Sequence, residues 1–217
     1  GRGGAETVAF TLGDSKENLH NVLIGGTVGT GKSNLLLTMI YSIAANYSPD
    51  EVEMYLLDFK EGVEFARFAR KDSYLPHAKI VGIQADARLG QGVLKGILKE
   101  LEKRSKLLLE HNVTNLANYR AETGKSMPRI LVVIDEFQEF LNINSSIFSD
   151  MQNVWDSKKN QSKINLIVCG SIYSLMKKIF EDSKEPLFSR ATAKIHVKPF
   201  ETETLKEILT DYRDSFS

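Results

Sequence analysis

The sequence has few of the features that mark several specialised classes of protein. Its 217 residues include one cysteine, Cys169, so no disulfide can form within the chain. This fits a reducing compartment, and the apolar neighbours of Cys169 predict a small core residue. The histidines lack the spacing of metal ligands, and no Ser–His–Asp or Cys–His pattern is recognisable. We therefore expect structural or exposed roles for His20, His77, His111 and His196.

An excess of charge and a long apolar run are also absent. Lys and Arg number 28, as do Asp and Glu, so the formal net charge is zero. This argues against binding nucleic acid through an overall positive field, but a local basic loop or a channel between assembled copies stays open. No apolar run approaches the roughly 18 residues of a membrane span, and no signal-peptide pattern opens the chain. We expect a cytoplasmic chain without membrane contact of its own.

What the chain does contain is an alternation of short apolar runs with longer helical patterns. Runs that are apolar at both alternating positions are typical of strands covered on both faces in a parallel sheet. The predicted strands are 21–25, 52–59, 78–84, 129–135, 164–170 and 193–200. Helices are predicted over 32–46, 89–111 and within the polar stretch 142–163. The alternation predicts a three-layer α/β fold with a mainly parallel central sheet.

The predicted helix 89–111 is strongly amphipathic. The apolar face consists of Val93, Leu94, Ile97, Leu98, Leu101 and Leu108. The other face is charged and mostly basic: Lys95, Lys99, Glu102, Lys103 and Lys106. Such a face could contact DNA, but the zero net charge favours a solvated surface.

A glycine-rich motif lies between the first predicted strand and the first predicted helix. Gly26 to Ser33 fit G-x-x-x-x-G-K-[ST], which chance would place in about one chain in a hundred of this length. Glycines allow successive backbone N–H groups to face phosphates, and the following helix N-terminus adds partial positive charge. Lys32 is predicted to reach the β- and γ-phosphates, and Ser33 to hold Mg²⁺. The predicted nucleotide-binding residues of this P-loop are Gly26, Thr27, Val28, Gly29, Thr30, Gly31, Lys32, Ser33 and Asn34.

Two adjacent carboxylates end the predicted strand 129–135, at the strand end where ligands of open α/β sheets gather. Asp135 is predicted to hold Mg²⁺ through water, and Glu136 to activate the attacking water as general base. Ser171 ends the neighbouring run "NLIVCGS", where it could sense the γ-phosphate or be an ordinary serine after a strand. The combined motifs predict a P-loop NTPase of the RecA/AAA-like kind.

Longer segments resemble the motor domain of the FtsK/SpoIIIE family of DNA-translocating ATPases, over about residues 8–141. "HNVLIGGTVGTGKS" is similar to the family's "PHLLIAGTTGSGKS", and "YLLDFKEGVEF" stands in the place of its ID-x-K strand. Further matches are "LPHAKIV", "LKELEKRSKLL", "VTNLANYR" and "MPRILVVIDEFQEFL". The resemblance implies Mg²⁺-dependent ATP hydrolysis by a hexameric ring on double-stranded DNA, in a full-length protein that could be membrane-anchored. Type VII secretion ATPases share the domain plan, so protein export stays open.

Beyond Leu141 the sequence resembles another P-loop group, the AAA-type ATPases of archaea and of bacteria such as Bacteroides, through "GSIYSLMKKIFEDSKEPLFSRA" and "KPF". We therefore hypothesise that the single domain 1–217 is a hybrid of two P-loop ATPases, spliced near 141/142. Arg190 matches this second group, where it could contact a nucleotide; we favour a structural salt bridge. Arg104 and Lys60 match FtsK-type positions without an assigned role.

Three functions follow from these patterns. The first is an ATPase core derived from a DNA-translocating motor, which hydrolyses Mg·ATP. The second is a nucleotide-binding module or engineered hybrid with little turnover. The third is a protein-secretion motor of the type VII kind.

Overall fold

One parallel sheet organises the chain. The computed structural model describes residues 21–59, 64–83, 87–143, 146–158 and 164–214, so His20, Lys60 and position 84 lie outside the described part. The sheet has the strand order β3-β2-β4-β5-β1-β6, and every pairing within it is parallel. Its strands are β1 (Asn21–Gly25), β2 (Val52–Asp58), β3 (Ala78–Gly82), β4 (Arg129–Asp135), β5 (Ile164–Gly170) and β6 (Ala193–His196).

Helices connect these strands. They are α1 (Lys32–Asn46), α2 (Ala87–Glu110), α3 (Leu116–Thr123), α4 (Phe140–Ile143), α5 (Ser146–Lys158), α6 (Tyr173–Glu181) and α7 (Thr202–Asp214). Two short 3₁₀ helices span Ala66–Ala69 and Phe137–Glu139. In the described ranges, none of the helices combines the length and apolarity that a membrane crossing requires.

The core lies on both sides of the sheet, as the doubly apolar strands predicted. In β4, Leu131 and Val133 face the layer of α1, whereas Val132 and Ile134 face α2, α5 and α6. Cys169 is fully buried on the α1 side, as a core residue should be. The predicted three-layer α/β architecture with a parallel sheet is confirmed.

Most predicted boundaries agree with the structure, and the last strand is the main error. β1, β4, β5 and α1 have the predicted bounds. β6, predicted over 193–200, ends at His196 because its neighbour β1 ends at Gly25. Val197 N–H donates one last bond to Gly25 O at 2.8 Å, and Pro199 has no N–H to continue the ladder. β2 likewise ends one residue early, at Asp58.

Helix α2 has the predicted two faces. Val93, Ile97, Leu101 and Leu108 are buried. The charged residues of the opposite face all lie in solvent: Lys95, Lys99, Glu102, Lys103 and Lys106.

The buried Arg104 of α2 ties the helix to the sheet. Its Nη2 lies 2.8 Å from Glu53 Oε1 on β2, and its Nε lies 2.9 Å from Glu100 Oε1 one helical turn earlier. Nη1 donates to the Pro128 carbonyl, just before β4. The guanidinium therefore joins three segments of chain, and its role in this structure is architectural.

Replacing Arg104 with Met should lower the free energy of unfolding by about 3 kcal/mol, because Glu53 would keep a largely buried charge without its partner. Urea unfolding measures the change. Lys103→Met on the same helix is the control and should cost less than about 0.5 kcal/mol, since Lys103 is largely exposed. If both variants lose the same free energy of unfolding, the buried ion pairs of Arg104 contribute no more to stability than an exposed lysine does.

Candidate active site

The carboxyl ends of β1, β2, β4 and β5 meet at one edge of the sheet, because all these strands are parallel. β1 leads into the glycine loop, and β4 leads into Glu136. A cavity of about 360 Å³ opens at this edge. Its lining residues are Val28, Gly29, Gly31, Lys32, Ser33, Asn34, Asp58, Glu64, Asp135 and Glu136.

Two glycines give the loop between β1 and α1 its shape. Gly29 and Gly31 have φ values of 83° and 94°, a region that a side chain disfavours. Gly26 is needed for a different reason, since a Cβ there would lie 2.5 Å from the Val197 carbonyl oxygen. The loop can therefore hold this path only with glycine at these positions.

Two of the other predicted loop residues, Thr30 and Lys32, hydrogen-bond back to the loop. Thr30 Oγ1 donates to the Thr27 carbonyl at 2.8 Å. Lys32 Nζ donates to the same carbonyl at 2.7 Å, and the Lys32 side chain is largely buried. Gly26, Thr27 and Thr30 are outside the cavity lining, whereas the other six predicted loop residues belong to it. The ammonium of Lys32 is thus folded over the loop, within the wall of the cavity.

Asp135 and Glu136 are both buried at the end of β4. Asp135 Oδ1 accepts the Glu136 N–H at 2.9 Å. Burial raises the pKa of the Asp135 carboxyl, and the charges of Glu136 and Asp58 add to the rise. The Glu136 N–H and the Cys169 thiol oppose it by hydrogen bonding to the carboxylate. Asp135 is therefore a carboxylate that gains from a nearby positive charge.

Cys169 stays a neutral thiol beside this carboxylate. Burial, followed by the Asp135 charge, raises the pKa of the Cys169 thiol well above its ordinary range. The thiolate, which is the nucleophilic form, is therefore disfavoured at neutral pH.

Glu136 has a backbone conformation that non-glycine residues rarely adopt. Its φ of 51° and ψ of 46° lie in the left-handed region. Its Oε2 accepts from Ser171 Oγ at 2.6 Å, from Ser171 N at 3.2 Å and from Gln138 Nε2. The structure thus brings Ser171 and Glu136 together across β4 and β5, as the adjacent strands require.

Three residues at or beside the site were not predicted from the sequence: Asp58 and Glu64, which line the cavity, and Gln138, which binds Glu136. Asp58 is 1% exposed, pairs in register with Asp135 across β2 and β4, and accepts the Glu64 N–H at 3.2 Å. Its signal was present, since it ends a buried apolar run as Asp135 does. Gln138 had no such signal, because its contact depends on the turn at Glu136.

Arg190 lies apart from the cavity. Its Nη1 donates to the Phe188 carbonyl at 2.7 Å, and its own carbonyl accepts from Asn21 Nδ2 at 2.9 Å. Asn21 is the first residue of β1, at the end of this strand opposite to the glycine loop. Arg190 therefore does not line the candidate site of its own chain.

Replacing Asp135 with Asn should stabilise the nucleotide-free protein at neutral pH. The raised pKa means that the stability contributed by protonated Asp135 is complete below the ordinary value of 3.8 and is lost as pH rises through the higher folded-state value. Asn removes that loss and keeps an oxygen for the Glu136 N–H and the Cys169 thiol. Urea midpoints of the variant and the parent should coincide at low pH and diverge, with the variant higher, toward pH 7. A variant that is less stable at pH 7 would contradict the account.

Comparison with known proteins gives the same family as the motifs. The FtsK/SpoIIIE family model matches residues 6–172 in one stretch, which runs through position 141/142 and includes β5. The hybrid hypothesis therefore gains no support from this comparison. The chain is 29% identical over 145 residues to the ESX secretion system protein EccC of Geobacillus thermodenitrificans, covering 64% of this chain and 10% of that protein. It is 31% identical over 143 residues to the type VII secretion system protein EssC of Staphylococcus aureus strain Mu50, covering 64% and 9%.

Solved structures agree on the fold. The cytoplasmic domain of EssC has a TM-score of 0.66 at 20% identity, and the match covers 89% of this chain and 35% of that one. Thermomonospora curvata EccC (ATPases 2 and 3), in complex with a signal sequence peptide, also scores 0.66, at 22% identity and 83% and 31% coverage. The chain spans about a tenth of the length of the curated relatives that it matches. The family match, which covers well over half of the chain, together with the fold, establishes that this chain belongs to the FtsK/SpoIIIE family and is a P-loop ATPase domain.

Proposed function

We propose that the cavity at the end of the glycine loop binds Mg·ATP and hydrolyses it by attack of water on the γ-phosphorus. The observation that carries this proposal is the meeting of Lys32, Asp135 and Glu136 in one cavity, although they come from separate parts of the chain. A buried cation and buried carboxylates around one space are costly to maintain without a ligand of matching charge.

Lys32 and the loop amides stabilise the phosphates. To do so, the Lys32 ammonium exchanges the Thr27 carbonyl for the β- and γ-phosphate oxygens. The N-terminus of α1, where Asn34 lies in the first turn, adds partial positive charge that favours the phosphates.

The residues present fit a magnesium ion. Ser33 and Asp135 both line the cavity and offer oxygen donors, the kind that Mg²⁺ prefers. The raised pKa of Asp135 supports this assignment, because a divalent cation would relieve the cost of its buried charge. When bound, the ion neutralises charge on the phosphate oxygens.

Glu136 acts as the general base. Glu136 lines the cavity, and its carboxylate accepts hydrogen bonds from Gln138, in the chain after β4, and from Ser171, in the chain after β5. The main role of Ser171 is to hold this carboxylate. To sense the γ-phosphate as well, its hydroxyl would have to turn away from Glu136.

We propose protein export, in preference to DNA translocation, as the process that this ATPase domain serves. Two relatives at about 30% identity are named as secretion proteins. The zero net charge of the chain gives a single subunit no overall positive field with which to attract DNA. Protein export and DNA translocation would both use Mg·ATP turnover by a single domain, 1–217, as the sequence predicts. We also propose that copies of this domain assemble as a ring.

Steady-state ATP hydrolysis tests the proposal. We expect turnover that requires Mg²⁺, is removed by EDTA and is unchanged by duplex DNA. Duplex DNA that raises turnover severalfold would favour the DNA motor, and tight ATP binding without turnover would favour a nucleotide-binding module. Size measurement with and without ATP in the same samples tests the proposed assembly.

A further inference from the structure

Gln138 is a buried polar side chain beside the proposed general base. It lies in the short 3₁₀ helix that follows Glu136 and is 1% exposed. Its Nε2 donates to Glu136 Oε2. The orientation of the amide follows from the chemistry, because an ionised carboxylate only accepts and so must face the NH₂ group.

Three donors converge on this one oxygen of Glu136. Besides Gln138 Nε2, they are the Ser171 hydroxyl at 2.6 Å and the Ser171 N–H at 3.2 Å. Gln138 and Ser171 belong to two different segments, the chain after β4 and the chain after β5. A carboxylate held from two segments in this way cannot rotate freely about its last bond, so its position at the cavity is defined.

The fit around Gln138 is close. A Cβ on Gly170 would lie 2.5 Å from Gln138 Oε1 and 2.5 Å from Met176 Sδ. The end of β5 therefore admits the glutamine amide only because residue 170 is a glycine. Gly170 directly precedes Ser171, so the donor from β5 and the space for Gln138 come from the same turn.

The arrangement costs stability. Gln138 Oε1 is buried without a hydrogen-bond partner. An unsatisfied buried acceptor is unfavourable, and an apolar side chain of similar size would avoid the cost. Glu136 adds the strain of its positive φ. Two unfavourable features so close in the chain are expected where function, and not stability, selects the residues.

We propose that Gln138 is a positioning residue for ATP hydrolysis: with Ser171, it holds the Glu136 carboxylate in the place from which Glu136 activates water. Gln138 is outside the cavity lining, so it acts through Glu136 and not on the nucleotide. The inference rests on the proposed role of Glu136.

The decisive variant is Gln138→Met, which keeps the length of the side chain and removes the donor. We expect kcat to fall by at least about tenfold, as for other residues that orient a reacting group, with KM and nucleotide Kd within about twofold of the parent. The melting temperature should stay level or rise, because the unsatisfied oxygen is gone. Gln152→Met, at a half-buried position on α5 outside the cavity lining, is the matched control and should leave kcat unchanged.

Ser171→Ala and the double variant with Gln138→Met add a second test. Because both residues bind the same oxygen, the double variant should lose less than the product of the two single losses. Independent, multiplicative losses would overturn the shared positioning role. A fall in kcat together with clear losses of thermal stability and of nucleotide affinity would also overturn it, since that pattern indicates a structural residue.

Glu136→Gln separates this inference from the proposed function. If Glu136→Gln turns over like the parent, the base lies elsewhere and the proposed function fails. If Glu136→Gln is inactive while Gln138→Met keeps full kcat, the base assignment stands and the positioning role of Gln138 is refuted.

Discussion

Lys32→Ala is expected to weaken ATP binding by at least about a hundredfold. Lys32 lines the cavity beside the glycine loop, and its ammonium is held there by the Thr27 carbonyl. Two charge-assisted bonds to phosphate oxygens, each contributing about 1.5–3 kcal/mol, correspond to this loss or more. Titration calorimetry with ATP and Mg²⁺ measures it.

The control for this variant is Lys71→Ala, at an exposed lysine outside the cavity lining, and its affinity should equal that of the parent. The folded state of Lys32→Ala is checked by its melting temperature without nucleotide. Micromolar binding retained by a folded Lys32→Ala protein would contradict the phosphate role of Lys32.

Glu136→Gln should keep ATP bound and reduce kcat by about 10²–10⁴-fold, the usual contribution of a general base. Glutamine has nearly the same shape but cannot accept a proton from water. It can still accept a bond from the Ser171 hydroxyl, so the loop should keep its path. Single-turnover hydrolysis, with binding measured separately, distinguishes the loss of chemistry from a loss of affinity.

Glu139→Gln is the matched control, since Glu139 lies three residues later, is half-buried and is outside the cavity lining. Its kcat should equal that of the parent. If both variants lose activity alike, charge near the end of β4 matters in a general way and Glu136 is not the base.

The sequence predicts the centre of the sheet best. β1, β4 and β5 are buried along nearly their whole length, so each contains a continuous apolar run that ends abruptly in a glycine or a carboxylate. The edge strand β6 is half-exposed and has no such pattern, and its end depends on where β1 ends. Boundaries set by a neighbour cannot be found in the strand's own residues.

Helix α6 shows a second limit. It begins after Ile172, and no side chain caps its N-terminus. Ser171, which has the chemistry of a capping residue, is bound to Glu136 instead. Ser171 therefore binds the candidate base and does not cap the helix, and α6 was not predicted.

The candidate site divides in the same way. The glycine loop, Asp135 and Glu136 follow from local motifs, because strand ends and glycines determine where they lie. Gln138 does not, since its contact requires both the left-handed turn at Glu136 and the glycine at position 170 of another strand. Asp58 falls between these cases: it ends a buried apolar run as Asp135 does, but only the pairing of β2 with β4 shows its proximity to Asp135.

The most direct test of the account is a crystal structure of the domain with Mg²⁺ and a nonhydrolysable ATP analogue. We expect the triphosphate within the amides of residues 26–33, Lys32 Nζ moved from the Thr27 carbonyl to phosphate oxygens, and the metal between Ser33 and Asp135. An analogue bound elsewhere, with Lys32 still on Thr27 and the cavity empty at saturating concentration, would contradict it.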